Sequence, residues 1–175
     1  MKFIRFTMIV SLLFFMATSV SAAATQAKKA QPYIGGKLGL MMPDASGVDD
    51  AVNLGILVGM TLNEVQAGSI AVEGELTTTI VDGDTGGGDW DVTTLAGYGV
   101  FRSSGPLYFK GKAGLVYWDA SVDAGPFGNY SDDDIDISFG VGGGFKISDK
   151  AALELEYTII DSDLDFLSIG FKMSL

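Results

Sequence analysis

The sequence predicts an all-β protein, an eight-stranded antiparallel transmembrane β-barrel of up-and-down topology. Three observations predict it. Eight segments of roughly ten residues alternate between an apolar row and a row of polar residues or glycine, the two-residue period of a strand whose faces meet different surroundings. The chain is 47% hydrophobic with 24 glycines, yet after its first 22 residues it has no run of 18 apolar residues for a spanning helix. The connections between segments alternate between short and long, as periplasmic turns and outer loops do when both termini lie in the periplasm.

The first element is a leader. Met1, Lys2 and Arg5 make a basic start, "FTMIVSLLFFMATSV" an apolar centre, and "VSA" ending at Ala22 a small-residue cleavage site. This pattern predicts a secretory signal peptide over residues 1–22, with cleavage after Ala24 as the alternative cut. Its apolar run is shorter than the ~20 residues of a membrane anchor. Residues 23–31, including "QAKK", form a short lead-in, and residues 32–175 the barrel. The chain has no cysteine, so an exported fold must hold without disulfides, which fits a bacterial envelope protein. The net charge is −11, and loss of Lys2 and Arg5 with the leader makes it −13. Nucleic acid is excluded as a partner, because phosphate binding needs a basic patch.

Each strand reads as two rows, the more apolar given first. The first sets Ile34, Gly36, Leu38, Leu40 and Met42 against Tyr33, Gly35, Lys37, Gly39 and Met41. The second sets Val52, Leu54, Ile56, Val58, Met60 and Leu62 against Asn53, Gly55, Leu57, Gly59 and Thr61. In the third, Ile70, Val72, Gly74, Leu76, Thr78 and Ile80 oppose Ala71, Glu73, Glu75, Thr77 and Thr79. The fourth has Val92, Thr94, Ala96, Tyr98 and Val100 against Asp91, Thr93, Leu95, Gly97, Gly99 and Phe101. The fifth has Leu107, Phe109, Gly111, Ala113, Leu115 and Tyr117 against Tyr108, Lys110, Lys112, Gly114, Val116 and Trp118. In the sixth, Ile135, Ile137, Phe139, Val141, Gly143, Phe145 and Ile147 oppose Asp136, Ser138, Gly140, Gly142, Gly144 and Lys146. The seventh opposes Leu153, Leu155, Tyr157 and Ile159 to Glu154, Glu156 and Thr158, and the eighth Leu167, Ile169, Phe171, Met173 and Leu175 to Phe166, Ser168, Gly170, Lys172 and Ser174. The short connections are "NEVQAG", "SSGP" and "SDK"; the long ones are "PDASGVDD", "VDGDTGGGDW", "DASVDAGPFGNYSDDD" and "DSDLD".

Alternation alone also fits a soluble, lipocalin-like barrel with its apolar row inside. Three features favour the inverse arrangement. The polar row is rich in glycine, which makes room for long side chains in a narrow lumen. Its charges balance: Glu73, Glu75, Glu154 and Glu156 against Lys37, Lys110, Lys112 and Lys172. All eight also lie a few residues from the periplasmic end of their strands. A lumen must pair such charges, because an uncompensated buried charge costs several kcal/mol. The eight residues are therefore the expected lumen charge network, with Lys110 and Lys112 the expected partners of Glu73 and Glu75. An eight-stranded barrel is just wide enough for its interior side chains to fill it, so a plug is expected rather than a wide pore.

With these residues in view, the chain resembles the small bacterial outer-membrane β-barrel family, the porin-like group related to the membrane domain of outer-membrane protein A. The resemblance spans residues 31–175 and rests on "YIGGKLGL", "AVEGEL", "LAGYGVFR", "LYFKGKAGLVY", "FGVGGGFKI" and "LELEYT". It implies a cell outer-membrane location, contact with outer-membrane lipid and lipopolysaccharide, and a monomer. The last strand resembles the C-terminal strand by which such proteins engage the barrel-assembly machinery, although it ends in Leu175 rather than an aromatic residue. The peptidoglycan-binding module of outer-membrane protein A is not expected, so no cell-wall tethering follows.

No enzyme is expected. The barrel enzymes of this membrane typically use a histidine base, and this chain has none. Glycines 140–144 lie inside a strand with no helix following, so they carry no nucleotide-binding meaning. The outer loops are acidic, with no Lys or Arg, and "DGDTGGGD" offers Asp82, Asp84 and Asp89 as weak Ca²⁺ ligands. No firm metal site or cofactor is expected, beyond a weakly bound divalent cation at these loops. Tyr33, Trp90, Tyr98, Phe109, Tyr117, Phe145, Tyr157 and Phe171 are candidates for the aromatic girdles at the membrane surfaces. The expected role is that of a non-catalytic envelope-surface protein. The alternatives are a narrow channel for small solutes or ions and a soluble periplasmic ligand-binding barrel.

Overall fold

The structure, a computed structural model, describes residues 30–125 and 128–175. The leader and all but the end of the lead-in lie outside the described residues. Eight long strands form the wall: β1 (Gln31–Pro43), β2 (Ala51–Val65), β3 (Gly68–Val81), β4 (Asp89–Ser103), β5 (Leu107–Asp123), β6 (Asn129–Lys146), β7 (Ala151–Ile159) and β8 (Leu164–Ser174). Each pairs antiparallel with its sequence neighbour, and β1 pairs with β8 from Tyr33↔Ser174 to Pro43↔Leu164, which closes the barrel. A two-residue piece, Gly83–Asp84, continues the β3–β4 hairpin by pairing with Trp90 and Asp89.

Closure decides between the two barrels that alternation allowed. Outward lie Ile34, Leu38, Leu54, Ile56, Ile70, Leu115, Ile137, Leu155, Ile169 and their neighbours, with Ile56 and Leu155 both 59% exposed. Inward lie Lys37, Glu73, Glu75, Lys110, Lys112, Glu154 and Glu156, all buried. A water-soluble barrel has the reverse arrangement, so the lipocalin-like alternative is overturned. In hydrocarbon such a wall is stable because every backbone polar group between the strands is paired around the ring. The outward row also fixes register. A one-residue slip would turn each charged row outward, and basic side chains facing the bilayer midplane cost about 2–4 kcal/mol each.

One strand departs from the expected rows. On β4 the inward row is Trp90, Val92, Thr94, Ala96, Tyr98, Val100 and Arg102, while Leu95, Gly97, Gly99 and Phe101 face out. Both rows of this strand are largely apolar, so hydropathy did not separate them. The pairing Glu73↔Tyr98, Glu75↔Ala96 settles the face, because directly paired residues share a side of the sheet. The girdle candidates divide accordingly. Tyr33, Trp90 and Tyr98 are inside, whereas Phe109, Phe145 and Phe171 are exposed near the end with short turns. Toward the loop end, Tyr117 and Tyr157 donate their hydroxyls to Asp133 (3.2 Å) and Asp165 (2.5 Å).

The longest connection is largely strand. The stretch from 119 to 134, expected as a loop, extends β5 to Asp123 and starts β6 at Asn129. It pairs Asp119↔Asp133 and Asp123↔Asn129. Beyond the bilayer a strand needs no apolar row, so the pattern that marks a span disappears while the hydrogen-bonded ladder continues.

Candidate functional site in the barrel lumen

The lumen has two layers. The layer nearer the short turns is charged, and its long side chains come mainly from β1, β3, β5 and β7. Between them β2 and β6 present glycines. A methyl group on Gly59 would strike the Tyr33 ring, one on Gly144 the Tyr108 ring, and one on Gly140 the Lys112 chain at 2.6 Å. The glycine-rich row is thus the space into which these side chains fold.

Within this layer, Lys110 Nζ lies 2.9 Å from Glu73 Oε1, 3.1 Å from Glu154 Oε2 and 2.6 Å from Glu156 Oε2. Lys112 Nζ lies 2.8 Å from Glu75 Oε1 and 2.7 Å from Glu156 Oε1. From the far wall Lys37 Nζ reaches Glu75 Oε2 at 2.8 Å and Glu156 Oε1 at 2.9 Å. Arg102 completes the set, with Nη2 2.6 Å from Glu73 Oε2 and Nε 2.8 Å from Glu154 Oε1. Two tyrosines add hydrogen bonds: Tyr33 donates to Glu73 (2.9 Å) and Tyr108 to Glu154 (2.6 Å). Arg102 Nη1 donates to the Tyr33 hydroxyl at 3.1 Å.

Seven of the eight residues singled out in the sequence are therefore joined in one lattice. The eighth, Lys172, makes no ion pair among the described residues. Its ammonium sits over the Tyr33 ring, 5.0 Å from the centroid. The fourth cation of the lattice is instead Arg102, which the sequence reading missed. A signal for it existed. Extending the row Val92 to Val100 by one step reaches Arg102, and a charge in that row marks it as inward.

The second layer, toward the long loops, is apolar. Met41, Ala51, Trp90, Val92, Val116, Ile160 and Phe166 form one buried cluster, with Val48, Trp118, Val122 and Leu164 packed against it. Polar ends are satisfied at its rim: Trp90 Nε1 donates to the Asp49 carbonyl (2.9 Å), Trp118 Nε1 to Asp136 (2.9 Å) and Asn53 to the Val92 carbonyl (3.1 Å). The alternating rows already set Met41, Val116, Trp118 and Phe166 opposite the lipid-facing residues, but they did not show that these side chains meet as a cap.

The arrangement limits the chemistry. Glu73, Glu75 and Glu156 bring carboxylate oxygens within 4.8 Å of one another, close enough to suggest a metal. Their oxygens face Lys37, Lys110, Lys112 and Arg102 instead, so ammonium and guanidinium groups supply the countercharge that a metal would supply. Each of the four glutamates is held by at least two cations, which leaves none as an open base. A cavity of about 10 Å³ lies between Lys37, Leu57, Lys110, Glu154 and Glu156, at the lower limit for a single water. Asp82, Asp84 and Asp89 are not gathered into a ligand cluster of this kind. Asp84 and Asp89 face each other across the two-residue ladder, and Asp84 accepts a hydrogen bond from the Gly86 amide (2.5 Å).

Comparison with known proteins bears on the barrel as a whole. A family model described as the outer membrane protein beta-barrel domain matches residues 10–174. None of the curated proteins compared matches the sequence. Among solved structures, Ail, the attachment invasion locus protein of Yersinia pestis, in complex with the heparin analogue sucrose octasulfate, aligns with a TM-score of 0.55 at 15% identity. That alignment covers 86% of this chain and 100% of Ail. Neisserial surface protein A aligns with a TM-score of 0.56 at 13% identity, over 86% of this chain and 100% of the other. The outer membrane protein OprG from Pseudomonas aeruginosa aligns with a TM-score of 0.58 at 14% identity, over 87% and 99%. At these identities the likeness is one of fold.

Proposed function

The chain belongs to the outer membrane protein β-barrel family, and on that premise we propose that it is a sealed, non-catalytic barrel that anchors an acidic surface at the outer membrane. The observation that supports this reading is the filled lumen: four cations and four carboxylates interlock beneath an apolar cap. A conducting path needs continuous water, and the cavity beside Lys37, Lys110, Glu154 and Glu156, about 10 Å³, is at the lower limit for a single molecule. Catalysis needs a reactive group with an open face, and the lumen glutamates are each held by two or more cations. The working surface is then the loop end, with Asp44, Asp49, Asp50, Asp82, Asp84, Asp161 and Asp163 and no basic residue in its loops. Phosphate-bearing lipid beside these loops would require divalent cations between the two.

Planar-bilayer recording of the purified, refolded protein tests the reading. A sealed barrel gives no discrete conductance steps at moderate voltage. Reproducible single-channel steps that disappear in a denatured control would overturn it in favour of the narrow channel.

A further inference from the structure

The β5–β6 hairpin rises past its neighbour. β6 pairs with β5 from Asp123↔Asn129 to Leu107↔Phe145, but with β7 only from Phe139↔Ile159 to Lys146↔Ala152. Residues 129–138 therefore have a strand on one side and, among the described residues, none on the other. Ten residues of strand present an edge about 30 Å long. Residues 129–135 are all exposed, and the outward apolar row ends at Ile135, so most of this edge stands clear of the lipid-facing band.

An open edge is a template for another strand, and proteins blunt such edges with charge. Here the blunting is specific. The Asp133 amide donates to the Asp132 carboxylate at 3.1 Å, and the Ile135 amide donates to the Asp134 carboxylate at 2.8 Å. Residues 133 and 135 share one edge, because strand amides alternate sides. A carboxylate on the preceding residue can reach an amide only where no partner strand already occupies it. Two edge donors are thus covered by the strand's own acids, with Asp133 and Asp136 adding to the charge and Asp119 directly opposite Asp133.

We propose that this edge is a docking strip for an extended basic polypeptide, which adds as a further strand beside β6. Charge complementarity selects the occupant. A second copy of this chain would set Asp132–Asp134 against the same acids, and a neutral strand would have to compete with carboxylates for the two amides. A strand bearing Lys or Arg at alternate positions draws Asp132 and Asp134 onto its own cations and frees the Asp133 and Ile135 amides for the ladder. Main-chain bonding then supplies affinity and the acids supply selectivity. The proposal rests on the reading that this hairpin faces the exterior, but binding can be measured whether or not the barrel is sealed.

The test uses the protein in nanodiscs of zwitterionic phospholipid and three labelled octapeptides followed by fluorescence anisotropy. One alternates Lys and Val, one alternates Glu and Val, and the third is the Lys–Val peptide N-methylated at every second residue. The Lys–Val peptide is expected to bind, the Glu–Val peptide not to bind, and N-methylation to weaken binding at least tenfold. Ile135→Pro removes an edge amide outside the β5 ladder and is expected to weaken Lys–Val binding to a similar degree. Equal binding of the methylated and unmethylated peptides would reduce the effect to charge attraction and overturn the proposal. So would absence of Lys–Val binding at millimolar concentration. The peptide comparison stands on the unmodified protein, so it does not depend on a variant folding.

Discussion

Lys112 on β5 grips both carboxylate oxygens of Glu75 on β3, at 2.8 and 2.9 Å, across the inward face of β4, where its ammonium also lies 4.0 Å from the centroid of the Tyr98 ring. Each partner also holds a second ion, Glu75 through Lys37 and Lys112 through Glu156. The pair is therefore a link in a lattice, and its removal is predictable. Glu75→Gln or Lys112→Met alone leaves an uncompensated buried charge, which costs roughly 3–5 kcal/mol. The double variant restores neutrality and keeps Lys37–Glu156, so it is expected to recover part of the loss. Urea unfolding in lipid vesicles measures all four species, and strict additivity would count against the coupling.

Arg102 is expected to behave differently from the lysines. Its guanidinium bonds Glu73, Glu154 and the Tyr33 hydroxyl at once and lies 5.1 Å from the Tyr33 ring centroid. Arg102→Lys keeps the charge but cannot span these partners with one planar fork. The same unfolding experiment should place Arg102→Lys between the unmodified protein and Arg102→Met, with Arg102→Met losing roughly 3–5 kcal/mol. Equal stability of Arg102→Lys and the unmodified protein would mean that charge alone suffices at this position.

The glycines of the lumen row give a third prediction. Gly144→Ala drives a methyl into the Tyr108 ring and so loosens the phenol from Glu154. Overpacking of this kind costs about 1–3 kcal/mol. Gly97→Ala, on the outward row with nothing within 4 Å of the added carbon, is expected to stay within about 0.5 kcal/mol. In a Tyr108→Ala background the cost of Gly144→Ala should vanish. Persistence of that cost would trace it to the strand backbone instead of the ring.

Much of this barrel was written in local pattern, and its failures have local causes. Strands β3, β5 and β7 carry charges in one row and aliphatics in the other, so Glu73, Lys110 and Glu154 declared their side. β4 carries Val92 and Val100 in one row and Leu95 and Phe101 in the other, so only its pairing with Glu73 and Glu75 fixes which faces in. Arg102 was lost with that row. The cap was missed for a related reason. Met41, Trp90, Val116 and Phe166 come from β1, β4, β5 and β8, and Ile160 follows β7, so no single stretch shows that they meet. The hairpin extension from 119 to 134 is rich in aspartate, and outside the bilayer nothing forces its apolar residues into one row.

On the proposed reading of a sealed barrel, the two layers of the lumen predict how that seal would fail. Trp90→Ala with Phe166→Ala empties much of the apolar cap and should admit water from the loop end. The charged layer below would still fill the bore, because Lys37, Lys110, Lys112 and Arg102 remain bound to the four glutamates. Ion current through this double variant is therefore expected to stay near that of the unmodified barrel. Lys112→Met alone breaks the lower layer but leaves the cap, and it too should conduct little. The three changes together remove both barriers along one path, so their current should exceed the sum of the separate effects by tenfold or more. Planar-bilayer recording at fixed voltage reads this directly, with heat-shifted mobility as the check that each barrel is folded. Full conductance from either layer's variant alone would show that a single layer makes the seal and that the other is only packing.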